Sequence, residues 1–201
     1  ATLLKVEGGT IALTGTLVAD NASDEIQIGP TCQATGSTAE AATCKLALGA
    51  DSSAHFSLTD TELDQVTTTG KLYLGDRDSS TKVDYVEFNG ISYTSATAGI
   101  FVKSNYGSIG ELKFLTTAST FTNTMTLQCS GAMAVSADVT SSNGSMSLTS
   151  GTTFVTSADL TASDTGDTIT VVAGTSATVG GTIDANGALS ITSSGGTLTV
   201  N

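Results

Sequence analysis

A chain of 201 residues with 19 acidic against 7 basic side chains carries a formal charge of −12 at pH 7, and no Lys or Arg follows Lys113. A surface of that sign repels phosphate backbones and anionic lipid, which excludes nucleic acid and membrane surfaces from the expected partners. Ser and Thr make up nearly a third of the chain, beside 22 Gly, one Pro and no Trp. No apolar run approaches the ~20 residues of a membrane-spanning helix, whereas Val, Ile, Leu and Thr alternate with period 2 in segment after segment, which points to short strands rather than disorder.

Residues 1–28 read as a first coil. Leu4 and Val6 are followed by Ile11, Leu13 and Leu17, and Ile26 and Ile28 restart the pattern 22 residues after Leu4. Gly8-Gly9 and Asp20-Asn21 supply corners. Asn21 opens an N-x-Ser/Thr sequon and Asn143 another, so both are candidate glycosylation sites on a secretory route. The chain opens on Ala1 inside a strand-like pattern, so the expectation is a processed chain or a piece of a longer one.

Residues 29–54 are expected to interrupt the stack as a loop insertion. Pro30 removes a ladder donor, and Cys32 and Cys44 bracket a polar segment of small residues. A Cys32–Cys44 disulfide closing that loop would stabilise by ~3 kcal/mol through lost unfolded-state entropy, in keeping with an oxidising compartment. The alternative is two reduced thiols. Cys129 stands apart, at a position where later repeats carry Ser150, Ala173 and Ser193, and reads as a buried free thiol.

Residues 55–75 contain one helical turn and a strand. Thr59 is placed to cap the amide of Glu62 while Glu62 returns the bond, with Leu58 and Leu63 as a hydrophobic staple. Lys71-Leu72-Tyr73-Leu74 then reads as a strand. The run Leu58-Thr-Asp-Thr-Glu-Leu63-Asp, a short spacer and Leu72-Tyr-Leu74-Gly75-Asp76 resembles a motif of filamentous-haemagglutinin-type repeat proteins. These are large secreted or surface β-helix proteins that serve as adhesins and structural filaments. The motif covers about twenty residues, and the looser Gly/Thr/Ser repeats agree with the family over most of the chain. The Asn-Pro motifs of that family's secretion domain are absent, so the resemblance implies shaft rather than exported tip, and implies no receptor-binding residue.

Residues 76–123 hold seven of the ten aromatics and four of the seven basic residues. Tyr85, Tyr93, Tyr106 and Lys103 are therefore candidate ligand-binding residues for a glycan or protein groove. The alternative is a wider solenoid section whose core takes larger side chains, since Val83-Asp-Tyr85-Val-Glu-Phe88 and Ile100-Phe-Val-Lys103 read as core strands.

The third segment, 124–201, repeats itself. Met125-Thr-Leu127, Met146-Ser-Leu148, Ile169-Thr-Val171 and Leu189-Ser-Ile191 start 21, 23 and 20 residues apart. Met133, Phe154, Ala177 and Thr197 follow each start by eight residues, and Val139, Leu160 and Ile183 follow the first three by fourteen. Asn143-Gly144, Gly166-Asp167 and Asn186-Gly187 precede later starts as turns expected to use positive φ. A period near twenty with a turn at each boundary indicates a β-solenoid.

Chemistry is sparse. Asp164, Asp167 and Asp184 are the nearest approach to a carboxylate constellation and read as turn residues. His55 is the single histidine, with no second ligand at zinc spacing. No catalytic, cofactor or metal site is expected. Residues flanking each inward pair, Thr124/Thr126, Ser145/Ser147, Thr168/Thr170 and Ala188/Ser190, would form an outward hydroxyl ladder, whose likeness to ice-binding solenoids makes ice binding a minor alternative.

The expected architecture is all-β: a parallel β-helix of about eight or nine coils over residues 1–201, on the order of 40 Å long, with one disulfide-closed insertion. The expected function is that of a secreted structural shaft or fibre module stacking end to end through open terminal coils. The alternative is an adhesin module binding glycan or protein through residues 76–123.

Overall fold

The structure, a computed structural model, describes residues 2–8, 12–31, 44–49, 56–75, 77, 83–104 and 110–201. Three parallel sheets wrap one axis. The first stacks Leu3–Gly8, Glu25–Pro30, Lys71–Gly75, Ile100–Ser104, Met125–Cys129, Met146–Ser150, Ile169–Ala173 and Leu189–Ser193. The second runs from Phe56–Leu58 and Lys45–Gly49 through Tyr85–Asn89 to Leu198–Val200. The third holds five strands, Ser92–Tyr93 to Ile183–Ala185, and Leu17–Ala19 pairs separately with Val66–Thr68. The chain is a parallel β-solenoid.

Alternation along each strand builds the core. Leu4, Ile26, Leu72, Ile100, Met125, Met146, Ile169 and Leu189 stand in one column across the first sheet. Two residues on, Val6, Ile28, Leu74, Val102, Leu127, Leu148, Val171 and Ile191 form a second. Each side chain packs on its like above and below, so a narrow apolar strip suffices to hold a chain this rich in Ser and Thr. The middle rungs take larger groups: Phe88 stacks on Phe114 with ring centroids 4.5 Å apart and meets Phe121 edge-on.

Polar side chains secure the corners from one coil to the next. Asp138 Oδ1 accepts from the Asp159 amide, and Asp159 Oδ1 accepts from the Thr182 amide. Asn123 Nδ2 donates to the Ala96 carbonyl, and Asn186 Nδ2 to that of Ser163. These bonds supply further partners to backbone groups at the corners between sheets.

Several expectations are corrected. The first sheet has eight rungs, so the chain makes about seven turns rather than eight or nine coils, or roughly 34 Å at the usual strand spacing. The disulfide-closed insertion is not part of the described fold, because no disulfide joins two described residues. Cys44 is buried, and Cys32 lies outside the described residues. Pro30 does not break the ladder; it ends the strand Glu25–Pro30 opposite Gly8, where the missing amide costs no central bond. Within 29–54, Lys45–Gly49 is a solenoid strand of the second sheet.

The excess length between Ile26 and Leu72 has a topological cause. Lys45–Gly49 pairs on one side with Tyr85–Asn89 and on the other with Phe56–Leu58. The chain therefore places two second-sheet strands within one step of the first sheet, then rises through Val66–Thr68, which pairs with Leu17–Ala19. The helical turn Asp60–Leu63 joins them with the expected capping box: Thr59 Oγ1 accepts from the Glu62 amide at 3.2 Å, and Glu62 Oε2 accepts from the Thr59 amide at 2.9 Å. Asp60 Oδ1 also accepts from the Ser92 amide at 2.7 Å, tying the turn to the third sheet.

The aligned repeat starts share a register, Met125 to Met146 to Ile169 to Leu189. Leu198, not Thr197, continues the column of Met133, Phe154 and Ala177. Of the three turn glycines, only Gly166 has positive φ, at +89°. Gly144 is required for a different reason, since a Cβ there would lie 2.3 Å from the Thr124 nitrogen.

Candidate functional site

The first sheet presents its even-numbered alternates to the axis and its others outward in this region. Tyr73 lies between inward Leu72 and Leu74, and Phe101 between inward Ile100 and Val102. Tyr73 and Phe101 are register partners, so their rings stand side by side on the outer face, with centroids 5.2 Å apart and planes inclined by 31°. Both are half-buried. On the next two rungs the same column carries Thr126 and Ser147, and the column beside it carries Lys103, Gln128 and Thr149.

Charge gathers on this aromatic pair. The Lys71 ammonium lies 4.8 Å from the Phe101 ring centroid, and the Arg77 guanidinium lies 5.2 Å from that of Tyr73. Arg77 also pairs with Glu25, which accepts from the Tyr73 hydroxyl at 3.3 Å. Burial, then the Glu25 charge, pushes the Tyr73 hydroxyl above its ordinary value, while the hydrogen bond to Glu25 raises Arg77 further. Lys103 makes no ion pair with a described residue. Tyr73, Arg77, Phe101, Val102, Lys103, Thr126 and Gln128 enclose an open cleft of about 140 Å³. That is below the ~300 Å³ of an enclosed small-molecule pocket, so the cleft suits one ring of a larger ligand.

The expected ligand residues fare differently. Lys103 lines the cleft. Tyr93 is 1% exposed, packs in the core and donates its hydroxyl to the Val66 carbonyl at 2.6 Å. Tyr85 is 2% exposed, with the Lys113 ammonium 4.9 Å from its ring centroid. Neither tyrosine offers a surface to a ligand. Tyr106, His55 and Lys82 lie outside the described residues. The residues missed were Tyr73, Phe101 and Arg77. Alternation carried the signal for the two aromatics, since a residue between two inward aliphatics points outward.

Elsewhere the described chain offers little chemistry. Asp164 Oδ1 accepts from the Thr165 amide and the Asp164 carbonyl from the Asp167 amide, which makes this a turn, whereas Asp184 sits opposite Thr161 in the third sheet. Among the described residues, no group of three or more His, Cys, Asp or Glu is arranged to hold a metal ion. No described helix is long and apolar enough to cross a membrane.

The hydroxyl ladder exists in register as Thr126, Ser147, Thr170 and Ser190. It is irregular, because the adjoining column reads Gln128, Thr149, Val172 and Thr192, and Ser145 Oγ is engaged by the Thr168 amide. Asn21 and Asn143 are both exposed at corners, and Asn21 Oδ1 accepts from the Ser23 amide and hydroxyl.

In comparisons with known proteins, no family model, no curated protein and no solved structure matches the chain.

Proposed function

We propose that the chain is a structural module of an extracellular fibre or surface shaft, of the filamentous-haemagglutinin type that the Leu58–Asp76 motif resembles. The observation that carries this reading is the unbroken register of eight rungs in the first sheet, which sets length along one axis. Leu189, Leu198 and Val200 continue inward or neighbouring columns yet are 48%, 45% and 67% exposed. A further coil laid on that rung, from the same polypeptide or from another copy, would bury them, which is the basis of end-to-end assembly. Sedimentation velocity and negative-stain micrographs over a range of micromolar concentrations test this. Rods that lengthen with concentration support assembly between copies, and a short particle of constant mass at every concentration refutes it.

A second reading, an adhesin module, is favoured by the outward Tyr73–Phe101 pair. Its surface is the first sheet at Lys71–Gly75 and Ile100–Ser104, not the buried Tyr85 and Tyr93. A glycan array probed with the intact chain and with Tyr73→Ala separates presentation from recognition.

A further inference from the structure

Outward positions of the first sheet beyond Phe101 are filled by small polar residues, Thr126, Ser147, Thr170 and Ser190. Against that background two adjacent half-buried aromatics are costly in water, since each leaves apolar area exposed that the rest of the column avoids. Folding does not demand them there, because the inward columns already supply the core. Three of the chain's seven basic residues, Lys71, Arg77 and Lys103, also stand beside this one pair, with Glu25 a described carboxylate among them and Asp76 and Asp78 flanking Arg77 in the sequence.

We propose that the cleft between the Tyr73–Phe101 rings and the Lys103–Gln128 column is a subsite for a carboxylated pyranose, a uronic-acid-type residue within a longer glycan. A pyranose has an apolar C–H face bounded by hydroxyls, which matches a wall of aromatic carbon with a rim of polar side chains. Thr126 and Gln128 supply that rim with a hydroxyl and an amide, able to donate to and accept from sugar hydroxyls. Arg77 is engaged by Glu25 and by the Tyr73 ring, so its role is to hold Tyr73 in place. Lys103 has no described ionic partner and carries three donors, which suits the carboxylate. The cleft volume admits a single ring, and Ser147 and Thr170 continue the polar column rung by rung at about 4.8 Å for the sugars beyond it. A densely charged polymer is disfavoured by the acidic remainder of the surface, so recognition rests on one stacked ring and one carboxylate.

The inference rests on the adhesin reading and is independent of the shaft reading. A titration of the ¹⁵N-labelled chain with a galacturonate tetramer, and separately with maltotetraose, at about 50 mM salt tests it, low salt being chosen to limit screening. The expected result is shifts confined to residues 71–77, 100–104 and 126–128, with the uronate bound about tenfold more tightly than the neutral glucan. Lys103→Gln should remove that preference, bringing the uronate to the affinity of the neutral glucan, without altering the circular dichroism spectrum. Tyr73→Ala and Phe101→Ala should each abolish both, with folding checked by melting curves. Equal binding of the two tetramers at this cleft, unaffected by Lys103→Gln, overturns the acidic-sugar assignment while leaving a glycan adhesin. Binding of neither, or shifts elsewhere on the chain, overturns the subsite and the glycan form of the adhesin reading together.

Discussion

Lys45 and Glu87 sit on adjacent rungs of the second sheet and form an ion pair whose side chains are only 9% and 7% exposed. The pairing is diagonal, because Lys45 stands opposite Tyr85 and Glu87 opposite Ala47. Two charges withdrawn from water repay their desolvation only while both are present. Glu87→Ala, which takes this carboxylate from beside a buried ammonium, should therefore cost about 3 kcal/mol in urea denaturation. The double substitution Lys45→Met with Glu87→Leu should recover most of that loss. A double variant as unstable as the single would show that the pair contributes more than its own neutralisation.

Cys129 provides a pH-dependent test. It stands in an inward column with Ser104, Ser150, Ala173 and Ser193, and its Sγ lies 3.3 Å from the Ala132 carbonyl. Burial pushes the thiol from 9.0 up to about 12. A folded-state value above the unfolded one means that the associated stability is intact below pH 9 and is lost as pH rises towards 12. Melting temperatures measured across that window should fall less steeply for Cys129→Ser than for the parent chain. Tyr93, raised in the same direction by burial, contributes a remaining slope in both. At pH 8 iodoacetamide should label Cys129 only at the rate of unfolding, since a buried neutral thiol is a poor nucleophile; fast labelling of the native chain would contradict the burial.

The register of the later coils was legible because apolar alternation and the turn pairs repeat together, so Met125, Met146, Ile169 and Leu189 could be aligned by eye. The resemblance to filamentous-haemagglutinin-type proteins led to the same solenoid, although no comparison establishes that family. The descent of Phe56–Leu58 to the far side of Lys45–Gly49 was not legible, because which strand a segment pairs with is a long-range choice that leaves no local mark. The site was half legible. Lys103 was found by its neighbourhood, but Phe101 was absorbed into a core strand although Ile100 and Val102 already occupied the inward positions. Tyr85 fails in the opposite sense: Val86 and Phe88 point to the axis, and Tyr85 is buried all the same.

Two glycines separate the reasons for which this fold uses that residue. Gly151 has no positive φ, yet a Cβ there would lie 2.1 Å from the Ser130 carbonyl oxygen. Gly174 in the following coil would meet Gly151 in the same way, at 2.0 Å. Gly166 has φ of +89° and nothing within 4 Å. Gly166→Ala should therefore cost about 1 kcal/mol, from backbone strain alone. Gly151→Ala must push one coil away from the next and should cost about 3 kcal/mol. Equal effects in thermal melts would mean that the corner relaxes freely, and would remove close stacking as the constraint there.

Phe154 tests whether the stack behaves as a one-dimensional array. It is fully buried between Met133 below and Ala177 above, a large side chain matched to a small neighbour. Phe154→Ala opens a cavity that the strands on either side cannot close, and should cost about 3–5 kcal/mol. Since each coil contacts chiefly its neighbours, the loss should be local. Native-state hydrogen exchange should show accelerated opening of the amides in 133–135, 153–156 and 176–179, while those of 85–89 keep their protection. Adding Ala177→Leu should restore part of the lost volume and slow exchange in the same three strands. Uniform acceleration from Leu3 to Val200 would instead show that the solenoid unfolds as one unit, its coils coupled far beyond nearest neighbours.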